Sequence, residues 1–192
     1  MNRLILASSS PRRIHLLRES DFDPEVVSPE VDELSCDFLT PQELALFNAN
    51  RKAAAVATRH PEKVVLAADT IVALGREVFG KPRDFDDARR MLKMLVGRTH
   101  VVITGVALIR PKMWGALQVE RTAVKFRALP EIEIERYLET ISPLDKAGAY
   151  AAQHAPDTII ERVAGSFTNV IGLPMEIVVP MLEAAGIRPR RG

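Results

Sequence analysis

Short apolar runs rich in valine and isoleucine alternate along this chain with segments whose apolar residues recur every three or four positions. That rhythm predicts strands interleaved with helices. Leu4 to Ala7 reads as a strand. Ser10 then suits an N-cap, Pro11 the first helical position, and Arg12 to Leu17 the spacing of an amphipathic helix. Glu25 to Val31 looks extended, and Pro41 to Thr58, capped by Thr40, forms a long helical pattern that carries Lys52. Val64 to Ala68 is a short buried-type strand ending at Asp69-Thr70, and Ile71 to Leu74 continues extended towards Gly75. Asp84 caps a helix through Val96, stopped by Gly97. His100 to Ile109 and Leu117 to Phe126 read as strands joined by a Pro-Lys-Met-Trp-Gly connection, which suits an antiparallel hairpin. Pro130 opens a helix through Glu139, Gly148 to Gln153 reads as extended, and Pro174 to Ala185 is a final helix that Pro180 kinks or shortens. The fold class that follows is mixed α/β, without repeats or low-complexity tracts.

Composition narrows the picture. The 192 residues, 47% hydrophobic, suffice for one sizeable core, as a single domain or two lobes. A net charge of +1 gives no electrostatic case for nucleic acid or an anionic membrane as partner, so any cationic site must be local. The single cysteine, Cys36, rules out an internal disulfide and, with four scattered histidines, the usual structural zinc patterns. No apolar stretch approaches the roughly 20 residues of a membrane span. With no leader-like opening to the sequence, a cytoplasmic protein is the default expectation.

The chemistry concentrates at segment ends. The Ser8-Ser-Ser-Pro-Arg12-Arg13 stretch places hydroxyls and two guanidinium groups at a helix start, where unpaired N–H groups favour a phosphate or carboxylate. A capped surface helix with solvated arginines is the competing reading. Gly75 to Lys81 matches the G-x-x-x-x-G-K part of a P-loop. Pro82 stands where a magnesium-binding Ser or Thr is needed, so the glycines are read as a turn presenting Lys81. Asp69, following so apolar a run, is either a solvated strand end or a carboxylate aimed into a cleft, able to hold a divalent ion or orient water. Asp32 and Glu33 are further acidic candidates, and Lys52 and Lys81 could neutralise phosphate. Together they suggest phosphate-ester chemistry without identifying the reaction.

These residues resemble the Maf family of nucleoside triphosphate pyrophosphatases. The resemblance runs through Leu6-Ala-Ser-Ser-Ser-Pro-Arg-Arg13, Asp32-Glu33, Lys52-Ala53, Ala68-Asp-Thr-Ile-Val72, Gly80-Lys-Pro82, Thr104-Gly-Val106, Asp145-Lys-Ala-Gly-Ala-Tyr150 with Gln153, and Gly172-Leu-Pro174. It implies a single Maf-like domain over residues 1–192, with two lobes around a strongly bent mixed sheet and a central cleft, as in inosine triphosphate pyrophosphatase. It also implies cleavage between the α and β phosphates, with a divalent cation, magnesium or manganese. Asp69 matches the proton acceptor and, with Glu33, a metal ligand. Ser8, Arg12, Arg13, Lys52 and Lys81 match the wall around the triphosphate.

Arg12, Thr70 and Gln153 match the specificity positions of the branch acting on dTTP and UTP. A branch preferring 7-methyl-GTP usually lacks the glutamine block. Removal of modified pyrimidine nucleotides, and a nucleotide-binding regulator of septum formation with little turnover, stay open as alternatives. The chain departs from the family pattern at His15, at Ile141-Ser142, where a Gly-Glu pair is usual, and at His154. A homodimer is the default for a soluble oligomer.

Overall fold

Strand β1 (Leu4–Leu6), helix α1 (Pro11–Glu19), strand β2 (Glu25–Val26), helix α2 (Pro41–Ala57) and strand β3 (Val64–Leu74) open the computed structural model, which describes residues 4–36, 38–153 and 156–190. There follow β4 (Glu77–Phe79), α3 (Phe85–Leu95), β5 (Thr99–Arg110), β6 (Trp114–Phe126) and α4 (Glu131–Thr140). The chain closes with α5 (Pro156–Ile159), β7 (Ile160–Ala164), α6 (Phe167–Ile171) and α7 (Met175–Ala184). The strands form one seven-stranded sheet in the order β2-β1-β3-β5-β6-β7, with β4 on β3. It is mixed: β1 runs parallel to β2 and β3, whereas β4 and β7 pair antiparallel to β3 and β6. The mixed α/β class expected from the pattern is the observed one.

The chain divides into two compact units. The first comprises residues up to Thr70, Thr104–Glu120 and those from Gly172 on. Its core packs Ile5 and Ala7, Val65 and Ala67, and Ala107 against Ala49, Ala53, Val56 and Ala57 of α2. The small side chains let that helix lie close. The approach is closest at Gly105, where an added Cβ would stand 2.4 Å from the Ala45 carbonyl carbon and oxygen. Thr40 begins α2 with a complete capping box, its hydroxyl accepting from the Glu43 N–H and the Glu43 carboxylate accepting from the Thr40 N–H.

The second unit comprises Ile71–Ile103 and Arg121–Ile171. Its core gathers Ala88, Met91, Leu92 and Leu95 of α3 with Val102, Phe126, Tyr137, Leu138 and Tyr150. Asp84 caps α3 by accepting from the Asp87 N–H, as its sequence position predicts. His100, 1% exposed, lies edge-on to Phe126 and Tyr150, and its Nε2 is 3.2 Å from the Tyr150 hydroxyl. Among the described residues its Nδ1 has no hydrogen-bond partner. Burial pushes the imidazole down to about 4 and the Tyr150 phenol up.

Several elements differ from the pattern-based reading. Val64 to Leu74 is one strand, so Asp69 lies inside β3 rather than at its end. Of Glu25 to Val31 only Glu25–Val26 is strand; the Val27 N–H still donates to the Leu6 carbonyl at 3.0 Å, and the chain then leaves the sheet. Gly148 to Gln153 is not extended. Two 3-10 turns, Pro143–Asp145 and Ala147–Ala149, occupy this region, with Gly148 at φ 70° and its missing Cβ position 3.0 Å from the Val72 side chain. Strand β7 and helices α5 and α6 escaped the sequence pattern, being only four or five residues each. Helix α7 runs through Pro180. Lys81 leads into coil and not a helix, consistent with rejecting the P-loop. His154 lies outside the described residues.

Two predictions follow from packing. Folded, His100 stays neutral down to about pH 4, whereas unfolded it protonates near 6.5. Its contribution is therefore complete above pH 6.5 and lost as pH falls towards 4, up to about 3 kcal/mol. Urea midpoints between pH 7 and 4.5 should drop more steeply for the wild type than for His100→Gln; parallel curves would remove His100 as the cause. Gly105→Ala should cost about 1–3 kcal/mol by forcing α2 off the sheet, and an unchanged denaturation midpoint would show that the close approach is not needed.

Candidate active site

The first unit assembles most of the residues singled out by sequence, through two side-chain networks. One centres on Lys52. Its placement on α2 follows from the Thr40 cap and the alanine-rich face that seats this helix on the sheet. Lys52 is 7% exposed, and its Nζ donates to Asp69 Oδ1 at 2.5 Å and to Glu33 Oε1 at 2.7 Å. Asp69 is 5% exposed, so this ion pair is withdrawn from water. A buried charge is tolerated only when paired and hydrogen-bonded, and removing one partner of such a pair typically costs about 3–5 kcal/mol. Glu33 grips the same ammonium from the open side, its side chain 47% exposed. The cluster holds two carboxylates to one ammonium. Asp32, by contrast, exposes its side chain and is anchored by its carbonyl, which accepts from Arg51 Nη1 at 3.0 Å.

The second network centres on Arg13. Its Nη1 donates to Ser8 Oγ at 3.2 Å, its Nη2 to Thr70 Oγ1 at 3.1 Å and its Nε to the Gly172 carbonyl at 2.9 Å. Thr70 Oγ1 also lies 3.0 Å from Thr104 Oγ1. The guanidinium thus ties together the residues that follow β1, strand β3 and the chain before α7. Burial pushes it below its ordinary value, opposed by Asp69, and an arginine remains charged under such a shift. Ser8 Oγ also accepts from the Ser10 N–H at 3.3 Å. Ser10 adopts the extended N-cap backbone at the start of α1, but its side chain makes no capping bond. Arg12 sits half-buried in the first turn of that helix.

Lys81 and Gln153 belong to the second unit. Lys81 is exposed after β4, beyond the turn that Gly75 makes at φ 63°, and Gln153 is exposed after Ala152. Sequence reasoning missed Asn48 and gave Thr104 and Gly172 no role of their own. Asn48 left a signal: a poor helix former inside an alanine-rich helix, one turn before Lys52.

The donor set suits a hard divalent cation. Glu33 and Asp69 supply carboxylate oxygens, and magnesium is commonly held by one or two carboxylates plus substrate phosphates. Among the described residues no group of three or more His, Cys, Asp or Glu side chains could form a complete protein cage. Glu33 and Asp69 could contribute to holding such an ion together with phosphate oxygens and water. No described helix is long and apolar enough to cross a membrane.

Known proteins resemble this chain along nearly its whole length. A family model described as Maf-like protein matches residues 3–185. A dTTP/UTP pyrophosphatase of Symbiobacterium thermophilum is 46% identical over 186 residues, 97% of this chain and 95% of that protein. Another, from Pyrococcus abyssi, is 46% identical over 188 residues, 97% of this chain and 98% of that protein. A solved nucleoside-triphosphatase / dITP/XTP pyrophosphatase of Mycobacterium abscessus aligns over 95% of this chain and 97% of its own at 17% identity. Its TM-score against this chain is 0.46. The likeness that decides the matter is in sequence and spans nearly the full chain, from the strand that precedes Ser8 to the helix that follows Gly172: the chain belongs to the Maf family.

Proposed function

We propose that this chain is a nucleoside triphosphate pyrophosphatase that hydrolyses dTTP and UTP to the nucleoside monophosphate and pyrophosphate, the whole chain serving as one functional domain. The observation that carries the reading is the buried Lys52 held between Asp69 and Glu33. That geometry offers a fixed carboxylate for proton transfer beside a fixed positive charge. Relatives named dTTP/UTP pyrophosphatase support the substrate class.

In this reading Asp69 accepts a proton from the water that attacks the α-phosphorus. The new bond runs from water oxygen to phosphorus; the bond to the α,β-bridging oxygen breaks, and pyrophosphate leaves with the electron pair. Lys52 occupies Asp69 Oδ1, so the proton goes to Oδ2, which Asn48 Nδ2 meets only weakly at 3.5 Å. Such a transfer is typically worth about 10²–10⁴-fold in rate. When bound by Glu33 and Asp69, a divalent cation, magnesium or manganese, supplies electrostatic stabilisation of the developing phosphate charge. Ser8, Arg12, Arg13, Lys52 and Lys81 neutralise and orient the phosphates, for phosphoryl chemistry depends mainly on in-line positioning and charge. Arg13 also holds Ser8 and Thr70 in place, each of its three nitrogens donating one bond while Nη1 and Nη2 each carry a second N–H. Thr70, Arg12 and Gln153 set base selectivity, the Gln153 amide offering a donor and an acceptor to a pyrimidine edge.

The test is pyrophosphate release from dTTP, UTP, CTP, GTP, 7-methyl-GTP and modified pyrimidine triphosphates with magnesium or manganese. Release should be fastest from dTTP and UTP, and Asp69→Asn should lower kcat by about 10²–10⁴-fold. Glu33 keeps Lys52 paired in that variant, so its circular dichroism should match the wild type. Binding without release from any nucleotide would favour a regulator, and a preference for 7-methyl-GTP would overturn the branch. Gln153→Ala should shift the ratio of kcat/KM values among bases by about tenfold, the scale of one or two lost hydrogen bonds. An equal loss on every nucleotide would show that Gln153 does not read the base.

A further inference from the structure

Glu33 reaches Lys52 from a segment with no regular structure of its own. Between β2 and α2 the described residues form no strand or helix, yet the Glu33 carboxylate stands 2.7 Å from the lysine. Something other than a ladder must hold that stretch. The strongest tether is Asn48, 3% exposed on α2. Its Oδ1 accepts from the Leu34 N–H at 2.8 Å and its Nδ2 donates to the Leu34 carbonyl at 3.1 Å. The side-chain amide therefore pairs with this residue as a neighbouring strand would. Asn48 and Lys52 are separated by four positions, so they share one face of the helix. Leu34 is thereby pinned one helical turn from the lysine that Glu33 grips.

The requirement is chemically narrow. A neutral amide of this length donates and accepts at once. A carboxylate would lose the donor to the Leu34 carbonyl and set a second negative charge near Asp69, whose Oδ2 lies 3.5 Å from Asn48 Nδ2. An apolar side chain would take from both main-chain groups of Leu34 the partner that Asn48 supplies.

We propose that Asn48 is a positioning residue: by pairing with the Leu34 main chain it sets Glu33 against Lys52, without itself touching substrate. This rests on the reading that Lys52, Glu33 and Asp69 form the reaction centre, and its test separates the two. Amide hydrogen exchange on the wild type should show Leu34 protected at least tenfold more than the amides of Asp32 and Glu33 beside it. Asn48→Ala should erase that difference. On dTTP, Asn48→Ala should lower kcat at least tenfold in the native background but less than twofold in a Glu33→Gln background, because its effect passes through Glu33. Asn48→Ser, which leaves a hydroxyl able to bind water, takes its place if the alanine variant does not fold, with the same coupling expected. Unprotected Leu34 in the wild type, or losses that multiply in the double variant, would overturn the proposal. Absence of turnover in the wild type would instead strike the pyrophosphatase reading, and the exchange comparison would still decide whether Asn48 holds Leu34.

Discussion

A lysine ammonium withdrawn from water is the constraint around which the first unit is arranged. Lys52 cannot stay charged inside unless anionic oxygen reaches it, and two chain segments are routed to supply it. Asp69 comes from within β3, where a carboxylate would otherwise interrupt a strand buried along most of its length. Glu33 comes from an irregular stretch that gains its order from α2. The helix itself must lie close enough to bring the ammonium to the strand, and the alanines of its inner face, with the missing side chain at Gly105, permit that approach.

The Arg13 network does for main chain and hydroxyls what Lys52 does for carboxylates. Each nitrogen of the guanidinium has a partner, one only five residues away and the others 57 and 159 residues away. A cation committed in this way is a poor mobile clamp and a good frame. Preorganised charge of this kind is what phosphate chemistry needs most, since there is little reorganisation left to be done when the substrate's charge develops.

Much of this was legible along the chain. Proline and hydroxyl signals marked the starts of α1 and α2, Asp84 marked α3, and Pro130 marked α4, because proline's fixed φ at the starts of α1, α2 and α4 and a side-chain cap at α2 and α3 act only on neighbouring residues. Asp69, Lys52 and Glu33 were visible as chemistry-bearing residues beside apolar runs. The short elements were not: β7, α5 and α6 are too brief to show a period, and the 3-10 turns around Gly148 depend on how closely Val72 packs there.

Local sequence determined the longer strands and helices with their order, the helix starts, and which residues carry charges or hydroxyls suited to phosphate, because those follow from propensity, capping and side-chain chemistry at neighbouring positions. Tertiary structure alone decided that β3 continues through Asp69, that Glu33 and not Asp32 joins Lys52, that Asn48 pairs with Leu34, and that Arg13 is spent on Ser8, Thr70 and Gly172. Those outcomes depend on which groups meet across 5 to 159 residues of separation, where the cost of burying a charge or leaving a main-chain group unpaired selects one partner among several that the sequence offers equally.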